Sequence, residues 1–386
     1  MSASVAARLL VVDDIPANRE LLVRRLQRFG HAVAQAEGGR QALEMLGAEA
    51  FDLVLLDITM PEVDGYQVLE SIRSDAALRH LPVVMVSALD EIDSVVRCLE
   101  LGADDYLTKP FNPLILRARV DASLAKKRLR DVERLQLHEM AHELEIGRRI
   151  QAGFLPAVLP QPQGWCIEAR FVPARQVGGD FYDVFVVRDG RIALVVADVC
   201  DKGVGAALYM ALFRSLIRAA ATYGAAMPPI AGRDDAALLH TIRTTNDYIA
   251  DVHGDSNMFA TAFVGLLDPA DGGLRYVNAG HDPPFVVRGG ALERLPRTGP
   301  ALGLFAGTSF EVAETRVAPG EHLLVFTDGV TDAGGPEGAF GEEGLAALLT
   351  AGVPAASVLE AIGTRLDRLG TEPWDDVTML HVRRAG

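Results

Sequence analysis

The sequence has few cysteines, few aromatic residues, and fewer basic residues than acidic ones. Its 386 residues include three cysteines, widely spaced and odd in number, which predict no disulfide framework and no zinc-knuckle site. Lysine and arginine number 37 against 52 acids, and the formal net charge of −15 argues against nucleic acid as the main partner. No apolar signal segment precedes the first predicted strand, and the most apolar helical stretch, 206–221, contains Arg214 and Arg218. We therefore expect a cytoplasmic protein with reduced thiols and no membrane span.

The sequence contains enough apolar residues for two folded domains. Hydrophobic residues make up 49% and charged residues 23%, and the length exceeds that of one ordinary domain. From residue 8 to about 126, short β-rich runs alternate with amphipathic helical stretches, which predicts repeated βα units around a parallel sheet. The predicted strands lie at 9–12, 51–57, 81–87 and 104–108. Sheets of this type bind their ligands at the carboxyl ends of the strands.

Acidic residues follow two of these strands. Asp13 and Asp14 come after the first strand, and Asp57 ends the run at 51–57. Because parallel strands share one carboxyl edge, the three carboxylates should meet there and require a hard cation such as Mg²⁺. Ser87 ends the next strand, and Lys109 follows the last. This set predicts a carboxylate nucleophile, Asp57, that accepts a phosphoryl group, with Lys109 and Ser87 contacting the phosphate oxygens.

The motifs around these residues resemble the response-regulator receiver family. They are VDD at 12–14, LLDITMPEVDG at 55–65, SA at 87–88 and GADDYLTKPF at 102–111. The resemblance implies an α/β fold over residues 1–126, a doubly wound parallel five-stranded (flavodoxin-like) domain that a cognate histidine kinase phosphorylates at Asp57. The site residues it implies are Asp13, Asp14, Asp57 and the Thr59 carbonyl as Mg²⁺ ligands, with Lys109, Ser87 and Tyr106 as switch residues.

The segment from about 121 to 151 has no strand signal and two apolar stripes. One stripe is Leu129, Val132 and Leu135, and the other, shifted in phase, is Leu137, Met140 and Leu144. We expect a long helical linker over 127–156, a short and imperfect coiled coil that joins two copies as a homodimer; a helix packed on its own domain is the alternative. The HEMAH string at 138–142 matches the zincin pattern HExxH, but no third ligand lies nearby in sequence, and a polar helix face explains it better.

Beyond Trp165 the predicted strands follow one another directly. They lie at 166–172, 181–187, 191–198, 260–267, 274–278, 284–288, 322–327 and 377–382, with helices at 205–222, 235–251 and 355–369. Hairpin residues separate several of them. The order predicts an antiparallel α+β domain over residues 157–386.

Four aspartates of this region lie beside predicted strands: Asp180, Asp198, Asp328 and Asp375. With no histidine or cysteine cluster, all-oxygen ligation favours Mg²⁺ or Mn²⁺, and four such acids suggest a two-metal centre that activates a water. The GGDFYD string at 178–183 is also similar to the GGDEF loop of diguanylate cyclases. Its fourth and fifth positions differ, however, and the order of elements does not match.

These motifs resemble the metal-dependent phosphatases of type 2C, in the bacterial branch typified by SpoIIE and RsbU. The match covers about 143–383 and includes LEIGRRIQAGFLP at 144–156, VGGDFYD at 177–183, DVCDKGVGAAL at 198–208, YVNAGHDPPFV at 276–286, TGPALGLF at 298–305 and DDVT at 375–378. The resemblance implies a four-layer α+β sandwich with two Mn²⁺ or Mg²⁺ ions. It also implies hydrolysis of phosphoserine or phosphothreonine on a protein of the anti-sigma-factor antagonist type.

Carried over residue by residue, the resemblance implies the ligands Asp180, Asp198, the Val199 carbonyl, Asp328 and Asp375, with Asp183, Asp201 and Asp376 as further candidates. Asp198 would bridge both metals. The branch often reads DVxGHG where this chain has Asp201 and Lys202, which leaves Asp198 intact but could alter metal affinity. The alternative function is a phosphorylation-gated binding module that sequesters a partner without catalysis; the retention of all four acids favours the enzyme.

Overall fold

The computed structural model describes residues 6–88, 92–110, 112–224, 235–334, 340–351, 354, 358–369 and 375–386. The chain divides into two compact units, Met1–Met140 and Ala141–Gly386. Parts of three sequence predictions lie outside the described residues: Phe111 of the GADDYLTKPF motif, Trp374 before the DDVT motif, and residues 355–357 of the last predicted helix.

The first unit is a five-stranded parallel sheet with helices on both faces, as predicted. The strands stand in the order β2-β1-β3-β4-β5. Their bounds are β1 Arg8–Val12, β2 Ala32–Ala36, β3 Leu53–Asp57, β4 Val83–Ser87 and β5 Asp105–Thr108. The helices are α1 Pro16–Arg28, α2 Gly39–Ala48, α3 Gly65–Ser74, α4 Ile92–Glu100 and α5 Pro113–Phe154.

Both faces of this sheet are buried, which explains the continuous aliphatic runs of its central strands. Leu9 and Val11 of β1 belong to a core that includes Leu116 and Val120 of α5. Leu10 and its neighbours on the other face pack against residues of α2 and α3. The central strands β1, β3 and β4 are buried along nearly their whole length, and the acids predicted to form a site lie at their carboxyl ends.

Helix α5 runs through Pro113–Phe154 as one helix, including the point where the sequence predicted a change of phase. Its first turns pack on the first unit through Leu116, Val120 and Leu124. From Asp131 to Glu143 every residue is exposed. The predicted linker boundary at 126 falls inside this helix, and the boundary at 156 falls two residues after its end.

The second unit contains two five-stranded sheets, ordered β13-β10-β9-β8-β7 and β12-β11-β14-β15-β6. Neighbouring strands pair antiparallel. The strands are β6 Trp165–Val172, β7 Phe181–Val186, β8 Ile192–Val199, β9 Ala260–Leu267, β10 Gly273–Ala279, β11 Phe285–Arg288, β12 Ala291–Arg294, β13 Ala313–Arg316, β14 His322–Phe326 and β15 Val377–Arg384. The helices are α6 Val204–Gly224, α7 Asp235–His253, a 3-10 turn Gly254–Ser256, α8 Asp328–Thr331, α9 Gly341–Thr350 and α10 Val358–Asp367.

These elements form four layers, as the resemblance implied. One core joins the inner faces of the two sheets, for example through Val196 and Leu380. The outer face of the first sheet packs on α6 and α7, and the outer face of the second packs on α9 and α10. Within α6, the segment Val204–Tyr223 is long and apolar enough to cross a membrane by length and composition. It places Met210 and Phe213 in the core, as a core helix does.

Candidate functional site

The acids of the first unit converge at the carboxyl edge of its sheet. The carboxylate oxygens of Asp13, Asp14 and Asp57 lie within 4.8 Å of one another. Asp13 and Asp57 are buried, and Asp14 is half-buried. Strands β1 and β3 pair in parallel register, with Val12 opposite Leu56, so the residues that follow these positions meet. We call these three residues the amino-terminal acid site.

Lys109 supplies the positive charge of this site. Its Nζ donates hydrogen bonds to Asp13 Oδ2 and to Asp57 Oδ2, both at 2.7 Å. Burial raises the pKa of Asp57, and the hydrogen bond and charge of Lys109 offset only part of that increase. Burial alone would lower the pKa of Lys109, but the hydrogen bonds that it donates to both aspartates, together with their negative charges, raise it overall. The lysine is therefore held protonated between two carboxylates.

The arrangement fits a divalent cation. The buried Oδ1 of Asp14 has no hydrogen-bond partner within the described part of the chain, and the Lys109 ammonium group pairs with the other two carboxylates, Asp13 and Asp57. A hard cation with oxygen ligands would satisfy that oxygen and offset the excess negative charge. Asp13, Asp14 and Asp57 are the residues that would hold it.

The other predicted residues of this site surround the same edge. Ser87 ends β4 and is buried, and its carbonyl accepts a hydrogen bond from the Lys109 amide at 2.7 Å. Tyr106 is buried in β5, opposite Met85 of β4. Thr59 is exposed, two residues beyond Asp57. The roles of these three side chains and of the Thr59 carbonyl stay predictions.

The last residue of the LLDITMPEVDG motif, Gly65, packs closely against the backbone of Asp57. A Cβ at this position would lie 2.2 Å from the carbonyl oxygen of Asp57, so any side chain would collide with the backbone of the predicted nucleophile. Asp64 caps α3 immediately before it and accepts a hydrogen bond from the Gln67 amide. The start of α3 is thus fixed against Asp57.

In the second unit, Asp180 lies at the centre of a second group of carboxylates. It is buried just before β7, and its Oδ2 accepts hydrogen bonds from the hydroxyls of Thr327 and Thr378, both at 2.7 Å. Burial, and then the negative charges of Asp198 and Asp376, raise the pKa of Asp180 well above its usual range. Neither threonine was predicted from the sequence, although Thr378 lies inside the DDVT motif and Thr327 directly precedes Asp328.

Asp198 and Asp328 share this negative environment. Burial, followed by the charge of Asp328, raises the pKa of Asp198 to about 7. Burial, followed by the charge of Asp375, raises the pKa of Asp328 to about 6. Carboxyl groups that disfavour one another's ionisation to this degree suit divalent cations, which would make the ionised forms favourable. We call Asp180, Asp198, Asp328 and Asp375 the carboxy-terminal acid site.

This second site is looser than the first. Among the described residues, only the amino-terminal acids form a group of three whose ligand oxygens all lie within 4.8 Å. In the carboxy-terminal site, Asp375 forms an ion pair with Lys202, with Nζ 2.8 Å from Oδ2. The ligand roles of Asp180, Asp198, Asp328, Asp375 and the Val199 carbonyl stay predictions that the electrostatics support.

The structure gives the three further candidate acids other surroundings. Asp376 binds backbone amides: its Oδ1 accepts from Ala174 at 2.8 Å, and its Oδ2 accepts from Gly179 at 2.7 Å. Asp183 is buried in an ion pair with Arg218, with contacts of 2.8 and 2.6 Å. Both acids already have partners that account for their burial, and the structure offers no support for a metal role.

Asp201 is the third of these acids. It adopts a φ of 72°, the left-handed region that favours glycine, and its Oδ1 accepts a hydrogen bond from the Lys202 amide at 2.8 Å. The departure from DVxGHG thus keeps the backbone conformation of a glycine position while adding a carboxylate.

The glycines of the second site are required by close packing. A Cβ on Gly178 would lie 2.1 Å from Asp376 Oδ2, and one on Gly179 would lie 2.7 Å from the Val199 carbonyl oxygen. A Cβ on Gly329 would lie 2.1 Å from the Asp376 carbonyl oxygen. The motifs are therefore pressed against one another at the carboxy-terminal acid site, although they lie up to two hundred residues apart.

Two polar residues of the YVNAGHDPPFV motif are buried close to this region. His281 is fully buried, which lowers its pKa to about 4, and its Nδ1 lies 2.9 Å from the Thr261 hydroxyl. The Asn278 side-chain amide has no hydrogen-bond partner among the described residues. Neither residue gains a ligand role from the structure.

A parallel sheet with an acid–lysine site, followed by a four-layer unit with a carboxylate cluster, defines a receiver joined to a phosphatase-type domain. Residues 9–121 match the response regulator receiver domain, and residues 188–385 match the family Stage II sporulation protein E (SpoIIE). The second match covers half of the chain, and the chain belongs to the SpoIIE family. The SpoIIE domain is of the PP2C type, a protein phosphatase family whose members generally use divalent metal ions.

Three comparisons show how far the similarity extends. Protein IcfG from Synechocystis sp. is 35% identical over 97% of this chain and 58% of its own length. The probable transcriptional regulator ycf27 of Guillardia theta is 42% identical over 31% of this chain and 46% of its own length. The SiaA-PP2C domain of Pseudomonas aeruginosa has a TM-score of 0.54 at 24% identity, covers 64% of this chain and 98% of that chain, and supports the fold alone. The chain spans about half the length of the curated relatives that it matches.

Proposed function

We propose that this chain is a two-component response regulator whose output is dephosphorylation of phosphoserine or phosphothreonine on a protein. The observation that carries the proposal is the carboxy-terminal acid site, where Asp180 is buried and Asp198 and Asp328 are half-buried. Burial and the charges of neighbouring aspartates raise the pKa of all three. Such a cluster is unfavourable without bound cations, which makes a binding site its simplest explanation.

Two Mn²⁺ or Mg²⁺ ions bound there would supply an activated water and offset charge on the phosphoryl group. Asp180, Asp198, the Val199 carbonyl, Asp328 and Asp375 are the groups that would hold them. Thr327 and Thr378 fix Oδ2 of Asp180 by donating hydrogen bonds at 2.7 Å, and Oδ1 would be the atom that binds a cation. Asp376 fixes the backbone of the GGD segment.

At the amino-terminal acid site, we propose that a histidine kinase phosphorylates Asp57 with Mg²⁺ held by Asp13, Asp14, Asp57 and the Thr59 carbonyl. Lys109 Nζ lies 2.7 Å from Asp57 Oδ2, so it is placed to contact a phosphoryl group on that oxygen. The Ser87 hydroxyl would contact the same group, and Tyr106 would follow its movement.

The partners follow from the same proposal. A phosphorylated switch protein of the anti-sigma-factor antagonist type would be the substrate, in the cytoplasm. The chain would act as a homodimer joined through α5, and phosphorylation of Asp57 would change the phosphatase rate through that helix.

The test is a phosphatase assay of the full chain with Mn²⁺ and a phosphoserine peptide. We expect Asp198→Ala to lower kcat by at least about a hundredfold, since removal of a ligand shared by both metals should disrupt the centre. Asp251→Ala, which removes an exposed aspartate of α7, is the matched control and should keep wild-type activity.

The alternative is a phosphorylation-gated binding module without catalysis. A folded wild-type chain that hydrolyses neither phosphopeptides nor a small aryl phosphate with Mn²⁺, Mg²⁺ or Co²⁺ would favour it. The retention of all four acids in one cluster favours the enzyme.

A further inference from the structure

Gln151, in the last turn of α5, binds the backbone of Gly178 through both polar atoms of its side chain. Its side chain is 5% exposed, and it forms two hydrogen bonds with the backbone of Gly178. Nε2 donates to the Gly178 carbonyl at 2.6 Å, and Oε1 accepts from the Gly178 amide at 3.1 Å. A primary amide can satisfy a backbone donor and acceptor together, because it carries both functions on one carbon.

The residue one turn earlier packs on the same segment. A Cβ on Gly147 would lie 3.6 Å from Val177 Cγ1, so the helix approaches Val177 closely at that point. Residues 147 and 151 are four apart and therefore share one face of α5. This face meets two consecutive residues, Val177 and Gly178, and Gly178 is the first residue of the GGD segment that carries Asp180.

The segment is held on its other side by Asp376. Asp376 Oδ2 accepts hydrogen bonds from the amides of Gly179 at 2.7 Å and Asp180 at 3.3 Å. No side chain fits at Gly178, where a Cβ would lie 2.1 Å from that oxygen. The segment that carries Asp180 is therefore held from two sides. Gln151 binds Gly178, two residues before the predicted metal ligand, and Asp376 binds the amides of Gly179 and of Asp180 itself.

We infer that Gln151 is a positioning residue for the carboxy-terminal acid site: it sets the place of Gly178 and thereby of Asp180. This inference rests on the proposed function for the identity of the bound cation and names the residue through which the end of α5 reaches the site. Replacing a residue that orients a metal ligand by hydrogen bonding commonly lowers metal affinity or activity by about 10- to 100-fold.

The test measures Mn²⁺ binding by the full chain, without turnover. All variants are made in a chain that carries Asp14→Asn and Asp57→Asn, so that Mn²⁺ binding reports the second unit. Gln151→Met keeps the volume and removes both hydrogen bonds. Gln151→Glu keeps the acceptor for the Gly178 amide and sets a carboxylate against the Gly178 carbonyl. Arg149→Gln, at an exposed position two residues away, is the control.

We expect both Gln151 variants to bind Mn²⁺ about 10- to 100-fold more weakly by electron paramagnetic resonance titration, and Arg149→Gln to stay within about twofold of the parent. The thermal unfolding midpoint, measured in parallel, identifies a purely structural role. If either folded variant keeps the parent's Mn²⁺ affinity, whatever its midpoint, Gln151 does not position the site and the inference is wrong.

Failure of the proposed function gives a different result. A parent chain that binds Mn²⁺ tightly and hydrolyses no phosphoprotein contradicts the phosphatase proposal, while the dependence of Mn²⁺ affinity on Gln151 is still measured.

Discussion

Lys202 places a cation of the chain itself against a predicted metal ligand, with Nζ 2.8 Å from Asp375 Oδ2. Both side chains are about one third exposed, at 36% and 32%, and ion pairs of this kind contribute about 0–1 kcal/mol. A metal ion that binds Asp375 has to displace this ammonium group. The departure at Asp201-Lys202 is therefore expected to weaken metal binding.

Lys202→Gln should raise Mn²⁺ affinity by up to about fivefold, the factor that corresponds to about 1 kcal/mol. Isothermal titration of the chain that carries Asp14→Asn and Asp57→Asn measures this. Arg191→Gln, which removes an ion pair with Asp189 elsewhere in the same unit, is the control and should leave the affinity unchanged. A weaker affinity in Lys202→Gln would show that the lysine supports the site instead.

The raised pKa values of Asp198 and Asp328 predict a pH dependence of stability in the absence of metal. Their folded-state pKa values of about 7 and about 6 lie above the ordinary 3.8. The folded chain therefore binds these protons more tightly than the unfolded chain. The resulting stability is complete below about pH 4 and is lost as the pH rises through 6 and 7.

With a chelator present, the unfolding midpoint should fall by roughly 3 °C or more between pH 5 and pH 8, since about 1 kcal/mol shifts the midpoint of a unit of this size by about 2–4 °C. Scanning calorimetry checks this, and Asp198→Asn should flatten the dependence. A midpoint that rises over the same interval would contradict the electrostatic account.

At the residue scale, the sequence predicted the positions of the clustered acids better than it predicted their hydrogen-bond partners. Asp13, Asp57 and Lys109 could be placed because parallel strands bring their carboxyl ends to one edge. Thr327 and Gln151 could not, because their contacts join segments 147 and 27 residues apart and leave no periodic signal. Asp376 was a further candidate ligand from the resemblance, and its contacts with the amides of Ala174 and Gly179 could not be predicted from the sequence.

At the scale of elements, α5 carries apolar side chains that no other part of the described chain covers. Leu129, Val132, Leu135, Leu137 and Met140 are each more than half exposed. Leu137, Met140 and Leu144 follow the three–four spacing of a coiled coil. A helix with such a stripe is stabilised when a second copy covers it.

Replacing Leu137 and Met140 together with serine should weaken self-association at least about tenfold, because each lost apolar side chain removes on the order of 1 kcal/mol or more of burial from a coiled-coil contact. Sedimentation equilibrium of the full chain measures this. Glu133→Ser with Glu139→Ser, polar positions of the same helix, is the control. A wild-type chain that stays monomeric at tens of micromolar would rule out dimerisation through α5.

Several elements were missed in the sequence because their patterns are weak. Strand β2 reads AVAQA, which has small residues and only one β-branched side chain. The four-residue strands β12 and β13 are edge strands, and they are too short to show alternation. The phase shift near Leu135 was read correctly from the residues, yet it leaves the helix unbroken because helical hydrogen bonds do not depend on which face is apolar.

At the scale of the whole molecule, the order of the two domains predicts regulation of one by the other. Acetyl phosphate should modify Asp57 and change the phosphatase rate by about fivefold or more, the lower end of ordinary coupling between sites. Asp57→Ala should lose the change, whereas Glu44→Ala, at an exposed position of α2, should keep it. Phosphatase assays with and without the donor measure both. Equal basal and donor-treated rates in wild type and in Asp57→Ala would disprove the coupling.

Strand β15 has a consequence for the order of events during synthesis. It pairs with β6, and Asp376 just before it binds the amides of Ala174 and Gly179, which precede it by 202 and 197 residues. A ribosome has therefore already released the first domain, and nearly all of the second, before these contacts can form. The nascent chain can fold the amino-terminal acid site early, but the carboxy-terminal acid site assembles only when β15 emerges. Under the proposed function, a stalled or prematurely terminated copy would thus compete for the kinase while releasing no phosphate.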